Sequence, residues 1–440
     1  MQTRFFGFLT GDDRDMSQSS PAAEAAGHEQ LSFAALRHPD CRNYLLFAAV
    51  AMMADNIEHV ISYWIIFQKF HSPALAGVAV LSHWLPFLLF SIISGALADR
   101  FDPRRIIQLG MVMFMTVSIA WGVLFATDSL EQWHAGVLLV THGMAGVLWG
   151  PASQLLIHDI VGPAHLQSAI RLTSTSRQLG VLMGPAIGGA LLLILGPATG
   201  IFLNVLFYLP LIYWLWKAPY GPRFRQGESR RRASMRGFGD IISTFRAIAG
   251  NSTIVSMVIL AGLASLFVGN AHQAQMPEFA NDLGFGDTGL YYSVLLAGNA
   301  GGALIAGIIL ESRSLLPANP RTTMVLVMLW CLAIGGFAMT GSYPLAVAAL
   351  FVAGFLNLSY NSMAQTLVQL HAPQEIRGRV IGLYAMSSNG LRAFSGITVG
   401  FGGALIGVHW SLGLSATALL AAMVALMWFT AWTTAKQSTG

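Results

Sequence analysis

Runs of about 20 apolar residues, broken by short polar turns, repeat from about residue 44 to about residue 433. A helix needs roughly 20 apolar residues to cross a bilayer, so each run predicts one transmembrane helix. Alternating strands of roughly 10 residues would predict an outer-membrane barrel, and the chain shows no such alternation. The first six spans are expected at about Tyr44–Phe67, Ala74–Leu97, Arg104–Ala126, His134–Ile157, Ala169–Leu195 and Thr199–Trp216. A basic segment with Gly and Pro, Lys217–Arg246, follows. The last six are expected at about Ile254–Gln275, Thr288–Leu310, Thr322–Met339, Pro344–Leu370, Val380–Ile406 and Ser411–Trp432. The expected organisation is an all-α membrane protein: a tail (1–43), a six-helix half (44–216), a linker (217–250), a second six-helix half (251–433) and a short end (434–440).

Composition agrees with this pattern. Of 440 residues 55% are hydrophobic, only 10% are charged, and the mean hydropathy is +0.60. Soluble domains carry about 25% charged residues. The net charge of +4 does not point to nucleic acid, because the basic residues are spread over loops. Of the 24 Lys and Arg, 20 fall in the two tails and in the turns after spans 2, 6, 8 and 10. Lys69 alone sits in an opposite turn, while Arg171, Arg177 and Arg392 lie within spans. The excess of basic residues on one side predicts cytoplasmic termini. The two cysteines, Cys41 and Cys331, lack metal-ligand spacing and are expected as free thiols. The segment before residue 41 lacks the apolar core of a secretory signal. It is expected to be disordered apart from a short interfacial helix around Leu31–Arg37.

The two halves echo each other. Gly95-x-Leu97-x-Asp99 after span 2 is matched 212 residues later by Gly307-x-Ile309-x-Glu311 after span 8. Pro163-x-x-Leu166 after span 4 is matched 210 residues later by Pro373-x-x-Ile376 after span 10. Two matches at nearly one offset, both at equivalent turns, argue for a parallel six-helix duplication. Such repeats place a substrate site near the midplane between them.

The charged turn Gly95-Ala-Leu-Ala-Asp-Arg-Phe-Asp-Pro-Arg-Arg-Ile106 resembles the loop 2–3 signature of the major facilitator superfamily, Gly-x-Leu-Ala-Asp-Arg-x-Gly-Arg-Arg, and departs from it at Asp102 and Pro103. The resemblance covers about Tyr44–Trp432 and implies the major facilitator fold of twelve helices in two halves. In that family the loop's acid and arginines latch the halves in one access state. By resemblance, Gly95, Asp99, Arg100 and Arg104 form a gating loop. Asp99 is expected to accept bonds from the helix start near Val380, Arg100 and Arg104 to bridge to Asp159, and Glu311 to be a weaker twin of Asp99. In span 5, Gly180-x-x-x-Gly184-Pro185-Ala-Ile-Gly188-Gly189 resembles the antiporter motif of facilitator drug exporters. Glycines four apart leave a bare stripe for close helix packing, and Pro185 permits a kink. The link from Gln365 through Pro373, Arg377, Gly378 and Arg379 to Tyr384 resembles that of enterobactin-exporter-type facilitators. The exporters' Arg-x-x-x-Gly of span 4 is replaced by His142-Gly-Met-Ala-Gly146, which puts a group that titrates near neutral pH in the arginine's place.

Of the 20 Asp and Glu, only Asp55 and Glu58 lie well inside a span. A charge at the bilayer centre costs at least about 2.5–3.5 kcal/mol, so two in one helix need a use. Three residues at about 100° each place both on one helical face, extended by Asn56 and His59. Desolvation and like charge both disfavour ionising such a pair. Three uses are open: coupling proton movement to transport through Asp55, Glu58, His59 and His142; binding a cationic substrate; or an ion pair with Arg177, Arg392 or a histidine that fixes packing. Candidate cavity residues in the first half are Asn56, His83, Trp149, Gln154 and Arg177. In the second half they are His272, Gln275, Asn299, Asn357, Asn361 and Gln365. Arg392, in mid-span, either binds an anionic group or pairs with Asp55 or Glu58. A single His or Asn in a span is as well explained by an interhelical hydrogen bond. Trp64, Trp84 and Phe87 line a cavity or belong to interfacial belts.

No zinc-protease helix motif and no phosphate-binding Gly loop with Lys is present, which argues against an enzyme and an ATP-driven pump. No cofactor and no metal are expected. The expected partners are a small-molecule substrate, protons and membrane lipids, with no nucleic acid, on a monomer. The expected function is proton-coupled efflux of an amphipathic small molecule, a siderophore or drug, across a bacterial inner membrane. A lysophospholipid translocator of the same fold and a non-transporting sensor are the alternatives.

Overall fold

Prolines open several of the long helices, where a missing N–H costs nothing and the fixed φ is already helical. In the computed structural model α1 spans Pro39–Phe70, α2 Pro73–Arg100 and α3 Pro103–Ala126. The model describes residues 33–438 except 71–72, 222–238, 270–271, 273–275, 285–288, 313–316, 396–398, 400 and 401. The first 32 residues, most of the basic linker and Gln275 therefore lie outside the described residues. The expected interfacial helix is a 3-10 turn over Ala34–Arg37. Asp102 caps α3 by accepting the Arg104 N–H at 3.0 Å.

α4 spans Gln132–Val161 and α5 Leu166–Asn204, followed by a 3-10 turn and α6, Leu209–Lys217. Spans 5 and 6 are one 52-residue apolar stretch broken at Gly196, whose φ of 76° favours glycine. Gly196 is the non-helical residue inside α5, while Pro185 sits within helical backbone. The linker carries α7, Gly239–Ile248.

The second half contains α8 (Ser252–Phe267), α9 (Met276–Asp282), α10 (Gly289–Ser312), α11 (Pro320–Met339) and α12 (Tyr343–His371). It continues through α13 (Arg377–Ala385), α14 (Arg392–Ser395), α15 (Gly402–Ile406) and α16 (Val408–Ser438). Two expected spans are interrupted. Span 7 ends at Phe267, because the chain turns at Gly269 with φ 48°, pressed against Ser395. Span 11 passes through a π-turn at Met386–Gly390. There Gly390 runs against the Leu88 backbone, and a Cβ would come within 2.5 Å of the Leu88 Cα. The Ser388 carbonyl is taken by the Ser265 hydroxyl at 2.6 Å.

Among the described residues eight helices are long and apolar enough to cross a membrane, and no residue is in a strand. Each half has its own core. Ile107, Met111, Phe114, Tyr208 and Leu211 are buried in the first half, and Met257, Val327, Trp330, Phe337 and Met363 in the second. Ile92 of α2 is part of the second core, and Ile381 of α13 part of the first. The outward faces are apolar, with Leu193 87% and Trp428 74% exposed. Backbone polar groups are satisfied within the helices, so such faces suit lipid. Cys41 and Cys331 are buried free thiols.

Candidate functional site

α1 carries both membrane acids to one partner. His142 of α4 lies between them, with Nε2 2.8 Å from Asp55 Oδ1 and Nδ1 2.8 Å from Glu58 Oε1. His142 and Glu58 are 2% exposed and Asp55 is 9% exposed. The second Glu58 oxygen accepts the Ser118 hydroxyl of α3. Asn204, at the end of α5, donates to the Ala54 carbonyl at 3.0 Å and to Ser118 at 3.5 Å. The Phe114 ring meets His142 edge-on at 4.7 Å and stacks on Tyr208 at 5.6 Å. Both Glu58 oxygens thus have a partner, which is what a buried charge requires.

The glycine stripe of α5 sets the position of these acids. A Cβ on Gly180 would lie 2.7 Å from the Ala49 carbonyl, and one on Gly184 2.3 Å from Asn56 Cβ. Gly188 packs on Ile57. α1 is therefore clamped to α5 at the turn that holds Asp55. Gly189 meets nothing within 4 Å and lies outside the stripe. Asn56 is satisfied by its own helix, donating to the Met52 carbonyl at 2.8 Å.

Two further histidines flank the bridge. His59 Nδ1 is 2.8 Å from the Asp55 carbonyl and 3.8 Å from Asp55 Oδ2, and its ring meets His142 at 4.6 Å and His83 at 5.1 Å. His83 Nδ1 is buried without a hydrogen-bond partner. One ring nitrogen from each of His59, His83 and His142 lies within 4.8 Å of the others, a spacing that would suit a metal ion. Both nitrogens of His142 are already bonded to carboxylates, so that ring is not a free ligand.

The remaining cavity candidates separate. Trp149 is part of the first-half core, its ring 6.3 Å from that of Phe114. Gln154 accepts from Gln369 at 3.2 Å, a bond between the halves. Asn357, Asn361 and Tyr360 bond to one another, with Asn357 Nδ2 3.2 Å from the Tyr360 hydroxyl; Gln365, one turn further along α12, is half-buried. Asn299 lies 3.4 Å from His272 Nε2. Arg392 sits over the Trp84 ring at 5.0 Å and does not pair with Asp55 or Glu58. Arg177 is exposed and does not pair with them either.

The charged turn joins the halves. Asp99 accepts the N–H groups of Gly378 and Arg379 at 2.7 and 2.9 Å, where the start of α13 favours an anion. The two donors immediately precede Val380. Gly95 touches the Gly378 carbonyl so closely that a Cβ would lie 2.0 Å away. The equivalent Gly307 lies against Thr175 of α5, and Glu311 accepts from Ser168 with Arg171 Nη1 at 3.9 Å. The Arg104 guanidinium is bound to Asp102 at 2.6 Å and to the Ala218 carbonyl. Arg100 is exposed and lies over Phe101.

Sequence reasoning missed Ser118, Asn204, Ser168 and Gln369. Asn204, a lone amide in an apolar run, was the available signal. Gly378 was read as part of a link rather than as the surface that meets Gly95.

Comparison with known proteins agrees with this architecture. Residues 30–438 match the transmembrane secretion effector family. The enterobactin exporter EntS of Shigella boydii serotype 4 is 25% identical over 359 residues, covering 79% of this chain and 81% of that protein. EntS of Escherichia coli O139:H28 matches to the same extent. The fucose:proton symporter FucP of Escherichia coli superposes with a TM-score of 0.67 at 12% identity, covering 89% of this chain and 98% of that one. The human organic anion transporter MFSD10 gives 0.63 at 13% identity, covering 88% and 98%. The chain belongs to the transmembrane secretion effector family of the major facilitator superfamily, and is a multi-pass membrane transporter rather than an enzyme.

Proposed function

We propose that the protein is a proton-coupled exporter of an amphipathic small molecule, such as a siderophore or drug. It works by alternating access in the bacterial cytoplasmic membrane, as a monomer with both termini in the cytoplasm. Two halves, 44–216 and 251–433, move about the linker 217–250. The export direction is supported by the printed function of the EntS relatives.

The observation that carries the coupling is the Asp55–His142–Glu58 bridge. Each of its two N···O contacts at 2.8 Å needs one proton between the atoms. An imidazolium between two carboxylates supplies both. If one proton leaves, an imidazole lone pair faces a carboxylate oxygen and one contact must open. Loss of a proton is thereby converted into freedom of α1 against α4, and α1 is fixed to α5 by glycine packing. His59 and His83 form a chain of titratable rings beside Asp55 along which a proton can pass. Each pH unit across the membrane supplies about 1.4 kcal/mol per proton, enough for a tenfold substrate gradient in one-for-one exchange.

The test is substrate movement in proteoliposomes under an imposed pH gradient. Asp55→Asn and Glu58→Gln are expected to abolish the dependence on the gradient while downhill exchange persists. Gradient-driven transport unchanged in both variants would sink the coupling role.

A further inference from the structure

The two gate contacts are built differently, although the repeat relates them. Asp99 takes the amides of Gly378 and Arg379 at the start of α13. The offset of 210 that pairs Pro163 with Pro373 also pairs Ser168 with Gly378 and Ala169 with Arg379. Yet the Ala169 amide is already bonded to the His165 carbonyl at 3.0 Å. Glu311 takes the Ser168 hydroxyl instead. An amide points one way, whereas a hydroxyl rotates to suit its surroundings. In helices Ser and Thr hydroxyls turn back to a carbonyl of their own chain, as those of Thr173 and Thr175 in α5 do at 2.7 and 2.9 Å. Ser168 needs a further partner to keep it on Glu311.

The 3-10 turn Ala34–Arg37 supplies that partner. The Ala35 N–H donates to Ser168 Oγ at 3.0 Å. With a lone pair engaged from that side, the hydroxyl proton is left for Glu311. The turn is itself pinned to α5. His38, its C-cap, brings Nε2 to 2.9 Å from His165 Nδ1, a contact that needs one proton between the rings. His165 is the N-cap of α5, three residues before Ser168. Ala34 and Ala35 are buried. Phe33, just before them, has φ 53° and ψ 33°. A bulky residue keeps this left-handed conformation only where its surroundings hold it.

We propose that Ala34–His38 is a strap that positions the Ser168 hydroxyl for Glu311, so that this side of the gate stays shut only while the turn is docked on α5. Ala35, His38 and His165 are positioning residues that act on Glu311 through Ser168. The strap regulates the exporter proposed above and rests on that reading for its role in transport, but not for its effect on the gate. His38 is followed directly by Pro39, the first residue of α1. The helix that carries Asp55 and Glu58 is therefore joined to the Glu311 contact by one short connection.

The test is the distance between the halves in the purified full-length protein in lipid nanodiscs, read by double electron–electron resonance. Spin labels go on Arg105→Cys and Arg321→Cys, exposed positions near the starts of α3 and α11, with Cys41 and Cys331 replaced by Ala. His38→Ala is expected to raise the ratio of open to closed populations at least about threefold, as one lost hydrogen bond would. Ser168→Ala is expected to raise it by at least as much. His38→Gln, whose amide can still bond to His165, is expected to bring the ratio back towards wild type. In a Glu311→Ala background His38→Ala is expected to add nothing, since residues that act through one contact are not additive. His165→Ala undocks the turn from the other side and gives a second reading should His38→Ala fail to fold. A ratio that neither histidine variant changes would overturn the proposal. So would a shift that persists undiminished in the Glu311→Ala background, because the turn would then merely hold the fold together. The ratio is read without substrate or gradient, so failure of export or of proton coupling leaves this result standing, and the reverse also holds.

Discussion

His142 holds two acids that lie 87 and 84 residues away in sequence. Removing it leaves Asp55 and Glu58 buried as uncompensated neighbours. His142→Ala is therefore expected to cost about 3–5 kcal/mol, the usual effect of breaking a buried ion pair from one side. Adding Asp55→Asn and Glu58→Gln should recover most of that loss, and thermal unfolding of the purified variants would measure both. A His142→Ala variant as stable as wild type would show that the bridge carries no stability. The sequence reveals the two acids readily, since charge is rare in an apolar run. It also reveals His142 as the residue standing where exporters of this kind carry Arg. It cannot reveal that both ring nitrogens are used, because this depends on how α1 and α4 cross. Sequence inspection left Arg392 with an acid as one option, and the structure uses both acids elsewhere.

At the scale of elements, glycines decide which helices touch. Gly184 and Gly189 belong to one motif, yet their surroundings differ. A Cβ at Gly184 would lie 2.3 Å from Asn56 Cβ, whereas one at Gly189 meets nothing within 4 Å. Gly184→Ala is expected to lower stability by about 1–3 kcal/mol, the range for overpacking, and to displace Asp55 enough to impair transport. Gly189→Ala should leave both nearly unchanged. Melting temperature and transport of the two variants side by side would check this. Helix existence was legible from length and hydropathy because a bilayer demands both. The interruptions at Gly269 and Met386–Gly390 were not. A glycine in an apolar run reads the same whether it packs within a helix or ends one, and its neighbour in space decides the matter. At Gly390 that neighbour is Leu88, on the other half.

Across the whole molecule the halves meet through paired contacts related by the internal repeat. Asp99 meets the start of α13, and Glu311 meets the start of α5 through Ser168 and Arg171. Asp99→Asn replaces one acceptor oxygen by an NH2 group set against an N–H. It is expected to slow transport severalfold or more while leaving substrate affinity nearly intact. A large loss of binding in the purified variant would count against a gating role. The duplication itself was legible, as the matched turns at Gly95 and Gly307 both prove to be sites of close approach between halves. The two contacts nevertheless differ in the material of the partner. Glu311 is held by side chains, which mutation can change. Asp99 is held by main-chain amides, which every residue except proline supplies. Genetic suppressors of damage at Glu311 can therefore arise at Ser168 or Arg171. Damage at Asp99 has no such remedy opposite it: Gly378 has no room for a Cβ against Gly95 or Asp99 itself, and no side-chain change there alters the amide. Compensation for Asp99 has to come from shifting the balance between states elsewhere in the chain, so the gate is robust on one side and brittle on the other.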